Sequence, residues 1–240
     1  MGKISILSFL FIIKSTGIFT ESLESFIIIT LLSILTLLIG SILGLIQYKI
    51  KRLLAYSSIT HLGLLLIILS IDNGLAISSF LFYMFQYWIS LISMFAILIY
   101  YEHQGCYLQS ISSLKYLQFN PALIIATCIN LFSLTGIPPL IGFFGKQMIL
   151  LTSCINGYYF ITTIIICTSV ISASYYLRIV KTISLGKIKN TKLLQLTSNR
   201  ILSWIISIIT NLTLLFFINT SILLDFTHSF AILNLNPSVI

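Results

Sequence analysis

The chain carries few charged residues. Lysine and arginine together number 13, and aspartate and glutamate number 5, so that 8% of the 240 residues are charged while 58% are hydrophobic. The mean hydropathy of +1.09 lies far above the range of soluble globular domains. The composition therefore excludes a soluble domain and indicates an integral membrane protein.

Cysteine and histidine are scarce as well. The four cysteines form no CxxC pair, and the three histidines lie far apart along the chain. These residues are Cys106, Cys128, Cys154, Cys167, His61, His103 and His228. Their spacing offers neither a metal site nor a nucleophile with its partners, and we interpret the cysteines as packing residues.

Long apolar runs fill most of the sequence. A helix needs about 20 residues to cross the hydrocarbon of a bilayer, and seven candidate spans meet this need: 4–20, 25–48, 53–71, 75–101, 120–151, 158–181 and 201–224. The alternation typical of membrane β-strands is missing. We predict an all-α, polytopic membrane helical bundle, with residues 1–240 forming a single transmembrane domain.

Basic residues are distributed unevenly over the predicted connections. If the spans alternate in direction, ten basic residues share one side: Lys49, Lys51, Arg52, Lys115, Arg178, Lys181, Lys187, Lys189, Lys192 and Arg200. The opposite side holds Glu21, Glu24, Asp72 and Asp225, and Glu102 breaks the pattern. By the positive-inside rule, the basic side faces the cytoplasm or matrix and the C-terminus lies on the other side.

Three further lysines, Lys3, Lys14 and Lys146, lie inside or at the edge of spans. A lysine at mid-membrane costs roughly 2.5–3.5 kcal/mol to insert, so each needs an explanation. Lys14 lies near the end of its span, where the long side chain can reach the interface. Lys146 lies in a span of about 30 residues, which is too long for one straight helix across the bilayer.

The segment LTGIPPLIGFFGKQMIL, Leu134–Leu150, explains that length. Gly136, Pro138 and Pro139 disfavour continuous helix and predict a break near mid-membrane. Backbone groups left unpaired at that depth require water or polar side chains. Lys146 lies about two turns beyond the second proline, and we predict that it takes up and releases a proton there.

Three motifs together resemble a known family. The runs IKRLLAYSSITHLG (Ile50–Gly63), LTGIPPLIGFFGKQMIL and SYYLRIVK (Ser174–Lys181) have the order and spacing of subunit 2 of proton-pumping NADH:ubiquinone oxidoreductase, respiratory complex I, in its mitochondrial form. This subunit is antiporter-like, with fourteen helices in two inverted repeats that each contain a broken helix. The seven predicted spans resemble helices eight to fourteen of that plan.

The resemblance implies roles for individual residues. Lys146 matches the lysine of the second broken helix, at the output half-channel. Lys3 matches the central lysine of the eighth helix, which passes protons along the hydrophilic axis of the membrane arm. His61 matches a histidine for which packing or hydrogen bonding is at least as good an explanation as proton transfer. Lys51 and Arg52 match a basic pair in a matrix-side turn.

The resemblance also implies partners. The first seven helices of the family plan, which carry the input half-channel, have no counterpart in the sequence, and we expect a separate polypeptide to supply them beside other membrane-arm subunits. NADH, FMN, iron–sulfur clusters and ubiquinone would be bound by other subunits, with no cofactor and no redox chemistry in this chain. The expected location is the mitochondrial inner membrane, with the C-terminus in the intermembrane space.

Two other functions stay open at this point. A subunit of a cation/proton antiporter would share the lysine and the broken helix, but it would work without respiratory partners. A structural remnant would keep the helical bundle and no longer pump protons. Neither alternative changes the predicted fold.

Overall fold

The computed structural model describes residues 9, 12, 23–71, 73–103, 110–185, 200–216, 225, 227 and 229. Within these residues the chain forms seven α-helices and one 3₁₀ helix. They are α1 (Leu23–Ile46), α2 (Ile50–Ser70), α3 (Gly74–His103), the 3₁₀ helix (Ile111–Phe119), α4 (Pro121–Thr135), α5 (Ile141–Ile155), α6 (Tyr159–Leu185) and α7 (Arg200–Leu215). The predicted all-α membrane bundle is confirmed.

Among the described residues, four helices are long and apolar enough to cross a membrane: Phe26–Ile46 within α1, all of α2, Gly74–Glu102 within α3, and all of α6. The predicted span 120–151 corresponds to two helices of 15 residues each, α4 and α5. Each of these is about 22 Å long, shorter than the hydrocarbon layer, so they can cross it only together. The predicted span 4–20 lies outside the described residues, apart from the isolated positions 9 and 12.

Helices α1 and α2 pack closely because small residues face each other. A Cβ at Gly40 would lie 2.7 Å from Thr60 Cγ2, and a Cβ at Gly63 would lie 2.8 Å from Thr36 Oγ1. Small residues at such contacts let the two backbones approach, which favours helix association within a bilayer. Most of the large apolar side chains of α1, such as Ile28 and Leu31, are exposed.

Helix α3 is the centre of the bundle and contacts α2, α4, α5 and α7. Its buried side chains recur every three or four residues, as at Tyr83, Tyr87, Ser90, Met94 and Ile97. This is the spacing of one helix face, and further buried residues such as Phe82 and Tyr100 widen that face toward the other neighbours. The same face positions the polar groups of the candidate site.

The basic end of the bundle is held together by polar contacts. Lys51 Nζ lies 2.6 Å from Glu102 Oε1, and the Ile111 N–H donates to the Tyr48 carbonyl over 3.0 Å. The first contact explains why Glu102 departs from the charge pattern, because its partner is a basic residue of the same side. Lys187, Lys189, Lys192, Glu21 and Asp72 lie outside the described residues.

Candidate functional site in the broken helix

The connection between α4 and α5 contains Gly136, Pro138 and Pro139, and both prolines are exposed. Gly136 ends α4 in the left-handed conformation, with φ of 82°, and its N–H donates to the carbonyls of Phe132 and Ser133 over 3.1 Å. A non-glycine residue avoids this conformation. The glycine thereby satisfies two carbonyls at the end of α4.

Lys146 satisfies a further carbonyl at this end. Its Nζ donates to the Thr135 carbonyl over 2.6 Å, although Lys146 is 11 residues further along the chain. The lysine is half-buried, and its stem lies beside the break, since a Cβ at Gly136 would be 2.8 Å from Lys146 Cδ. The carbonyl end of a helix carries partial negative charge, so a cation is favoured there.

Two glycines bring α5 against its neighbours. A Cβ at Gly142 would overlap the Ser133 carbonyl oxygen and lie 3.2 Å from Gln86 Nε2. A Cβ at Gly145 would lie 2.8 Å from Gln86 Oε1 and 2.9 Å from Tyr83 Cδ2. Because α5 lacks side chains at these two positions, the beginning of α5 lies beside the end of α4 and against the Gln86 amide of α3.

His61 lies on α2 and is only 3% exposed. Its Nδ1 is 2.6 Å from the Tyr83 hydroxyl, and its ring stacks on Tyr87 with centroids 4.7 Å apart. The histidine therefore has a packing role and a hydrogen-bonding role.

Helix α4 adds buried polar groups that face α3. The Asn130 amide donates to the Ser93 hydroxyl, and Ser133 lies one turn further along the same helix. Gln86 is 1% exposed, and Asn130 and Ser133 are 0% exposed. Among the described residues, Gln86 Oε1, Asn130 Oδ1 and Ser133 Oγ have no hydrogen-bond partner.

Of the predicted proton-transfer residues, Lys146 lies at the break, and His61 is bonded to Tyr83, which packs against Gly145 beside Lys146. Lys3 lies outside the described residues. Gln86, Asn130 and Ser133 were not predicted as site residues from the sequence. Each of the three is a polar residue inside an apolar run of the sequence. Such a residue marks a candidate functional position even without a charge.

A family model for the NADH:quinone oxidoreductase/Mrp antiporter transmembrane region matches residues 1–172 of this chain. The chain belongs to this family. The family predicted from the three sequence motifs is thereby confirmed.

Individual relatives agree with the family assignment. The chain is 48% identical over 160 residues to NADH-ubiquinone oxidoreductase chain 2 of Rhizopus oryzae, an alignment that covers 63% of this chain and 31% of that protein. It is 36% identical over 161 residues to NADH-quinone oxidoreductase subunit N of a Jannaschia species, with 67% of this chain and 33% of that protein covered. The chain spans about a third of the length of the curated relatives it matches.

The fold agrees too. A chain of respiratory complex I from Thermus thermophilus, solved with bound aureothin, superposes with a TM-score of 0.70 at 25% identity. The match covers 82% of this chain and 44% of the Thermus chain. In complex I, therefore, a longer chain contains a region with the helix arrangement described above.

Proposed function

We propose that this chain is a membrane-arm subunit of proton-pumping NADH:ubiquinone oxidoreductase and carries the central and output part of a proton channel. Lys146 is the proton-exchanging group, and His61 is linked to the same region through Tyr83, which packs against Gly145. Lys3 is proposed to continue the same route. The helix break formed by Gly136, Pro138 and Pro139 provides the place where a charged side chain can be accommodated.

The observation that carries this proposal is the hydrogen bond from Lys146 Nζ to the Thr135 carbonyl at the broken end of α4. Two opposing effects act on the ammonium group. Removal from water disfavours the charge, and the carbonyl end of the helix favours it. A lysine held between these two effects can exchange its proton, whereas an arginine would stay charged.

A change in local hydration or in a neighbouring charge can shift this balance. A proton that arrives on the lysine strengthens its bond to the Thr135 carbonyl, and the loss of that proton weakens it. We propose that quinone reduction in distant subunits drives the exchange through such electrostatic changes. NADH, FMN, iron–sulfur clusters and ubiquinone are then bound by those other subunits, and this chain carries no redox chemistry.

The location follows from the same proposal. The protein is placed in the mitochondrial inner membrane, with its basic end toward the matrix and its C-terminus toward the intermembrane space. The other membrane-arm subunits are its partners. Mass spectrometry of the native complex tests this proposal through the membrane-arm subunits that co-migrate with the chain.

Replacement of Lys146 by methionine tests the proposed function. Lys146→Met keeps most of the side-chain volume and removes the exchangeable proton, so we expect the complex to assemble and to lose most of its proton translocation. The measurement is proton uptake by vesicles that contain the purified complex, driven by NADH and ubiquinone. Lys181→Met is the matched control, because Lys181 is an exposed lysine of α6.

Full proton translocation by the assembled Lys146→Met complex would contradict the role of Lys146 and favour the structural remnant.

The antiporter alternative makes a different prediction. The Mrp complex from a Dietzia species has a similar fold, with a TM-score of 0.73 at 15% identity. If sodium gradients drove proton movement through the isolated protein without NADH, an antiporter would replace the proposed function.

A further inference from the structure

A cavity of about 230 Å³ lies between the beginning of α3 and the end of α5, at the end of the bundle opposite the basic end. Leu75, Leu151 and Ile155 form its exposed rim, and the buried Phe82 lies two turns further in along α3. An engineered cavity of about 150 Å³ in another protein binds benzene, so this one has room for a small polar group and part of one hydrocarbon chain. Lys146 is not among the described residues that line it.

The two helices that form the cavity are linked at its outer end. The Asn73 amide, just before α3, donates to the Asn156 side-chain oxygen, just after α5. Asn156 in turn donates from Nδ2 to the Thr152 carbonyl over 2.6 Å. These hydrogen bonds connect the ends of α3 and α5, so the cavity is a feature of the folded bundle.

Four of the polar residues that line the cavity offer hydrogen-bond acceptors. Ser78, Ser79 and Thr152 each donate their hydroxyl proton to a carbonyl of their own helix, over 3.0, 2.9 and 2.9 Å. A hydroxyl has one proton to donate, so these three groups have only lone pairs left for a ligand. Asp225 adds a carboxylate, which in its ionised form also accepts hydrogen bonds and does not donate them.

Such a lining selects a ligand that carries hydrogen-bond donors and positive charge. A primary ammonium group has three N–H donors and no acceptor, and its hydrogen bond to a carboxylate is charge-assisted. A trimethylammonium group has the same charge but no N–H to donate. An anionic group would be repelled by the carboxylate. The lining therefore favours a primary ammonium group.

The cavity is polar in its outer part and apolar in its inner part. Ser78 lies one turn from the beginning of α3, and Thr152 lies about one turn from the end of α5. Phe82 and Met148 each lie one turn further into the bundle. A bilayer lipid has the same order, with its headgroup at the membrane surface and its hydrocarbon chains toward the middle.

We propose that this cavity binds phosphatidylethanolamine, a membrane lipid with a primary ammonium headgroup. Its nitrogen donates to the Asp225 carboxylate and to hydroxyl oxygens of the lining, and part of one acyl chain lies against Phe82 and Met148. The phosphate, which Asp225 would repel, stays outside the cavity. The inference goes beyond the proposed function and does not depend on it, because it follows from the cavity and its chemistry alone.

Photolabelling of the purified complex tests this site. The complex is placed in phosphatidylcholine vesicles that contain a small fraction of phosphatidylethanolamine with a diazirine in one acyl chain, and the labelled peptides are identified by mass spectrometry. We expect label on the segments around Phe82 and Met148. A phosphatidylcholine probe with the same diazirine chain should label them about tenfold less, a ratio that corresponds to about 1.4 kcal/mol.

The variant Asp225→Asn tests the role of the carboxylate. It keeps the size of the side chain and removes the charge, so labelling by the phosphatidylethanolamine probe should fall about tenfold. Glu102→Gln is the matched control, because it removes an exposed carboxylate from the basic end of the bundle. We expect this control to leave the labelling unchanged.

Three results would overturn the inference. Equal labelling by the two probes would show that the cavity accepts any lipid chain, and absence of label from both segments would show that no lipid enters it. Equal labelling of the Asp225→Asn and Glu102→Gln complexes would show that the carboxylate does not bind the headgroup. The comparison of the two probes uses the unaltered complex, so it decides the question even if Asp225→Asn does not assemble. Because proton translocation is not measured, the outcome is separate from that of Lys146→Met.

Discussion

Two of the helices that the structure describes end with a cation at their carbonyl groups, in very different surroundings. Arg178 of α6 donates from Nη1 to the Leu45 carbonyl near the end of α1 over 3.0 Å, and this arginine is exposed. Lys146 of α5 donates to the Thr135 carbonyl at the end of α4 over 2.6 Å, and this lysine is half-buried beside the helix break. Both bonds place positive charge where the helix dipole favours it.

The difference lies in the residue and in the surroundings. An arginine keeps its charge under all ordinary conditions, and at the exposed end of α1 it serves to fasten α6 to α1. A lysine can lose its proton, and the half-buried position of Lys146 partly removes its ammonium group from water. The same helix-end interaction thus gives a structural contact at Arg178 and a proposed proton-exchange site at Lys146.

The largest effect in this comparison is expected at Gly136. Gly136→Ala forces a side chain into the left-handed conformation, which costs roughly 1–2 kcal/mol, and it places Cβ 2.8 Å from Lys146 Cδ. We expect a lower temperature of inactivation for the assembled complex and a several-fold loss of NADH-driven proton translocation, since the lysine is displaced.

The control for this variant is Gly157→Ala. Gly157 has a similar φ of 78°, but a Cβ there would meet nothing within 4 Å. Gly157→Ala should lower the temperature of inactivation through the unfavourable backbone conformation alone. It should leave proton translocation per NADH unchanged. Equal proton translocation in the two alanine variants would show that the contact between Gly136 and Lys146 is unimportant.

A smaller effect is expected at the other helix end. Arg178→Met removes the bond to the Leu45 carbonyl and the favourable interaction with the helix dipole, which together are worth about 0.3–1 kcal/mol at an exposed position. We expect slightly faster thermal inactivation of the complex and an unchanged ratio of protons to NADH. Arg178→Lys, which retains the charge, should lie between the variant and the wild type in stability. A fall in the proton ratio on replacement of Arg178 would mean that this end of the bundle also carries protons.

Charge and helix-breaking residues were the features that the sequence alone could indicate. Lys146 stood out because a lysine in an apolar run is costly, and the connection with Gly136 and Pro138 stood out because proline ends helices. The sequence could not show that Lys146 reaches back to the Thr135 carbonyl, since this depends on α5 lying beside the end of α4. The close approach of Gly142 to the Ser133 carbonyl makes this hydrogen bond possible, and it depends on how the two helices pack.

Uncharged polar groups were harder to predict. Gln86 and Asn130 each sit in an apolar run, but whether such a group is paired depends on residues far away in the sequence, as with Asn130 and Ser93. The partner of Glu102 could not be predicted for the same reason. Its departure from the charge pattern had no explanation until Lys51 was found 2.6 Å away, on another helix. The prediction of a single transmembrane domain and the predicted role of Lys3 stay predictions.

The most direct test of the comparison between the two helix ends is Lys146→Arg. This variant keeps a cation beside the Thr135 carbonyl but replaces an exchangeable proton with one that is held permanently. The measurement is the number of protons translocated per NADH by the assembled complex in vesicles. We predict that the complex assembles and loses most of its proton translocation. A wild-type ratio of protons to NADH in the Lys146→Arg complex would show that Lys146, like Arg178, acts only as a structural cation.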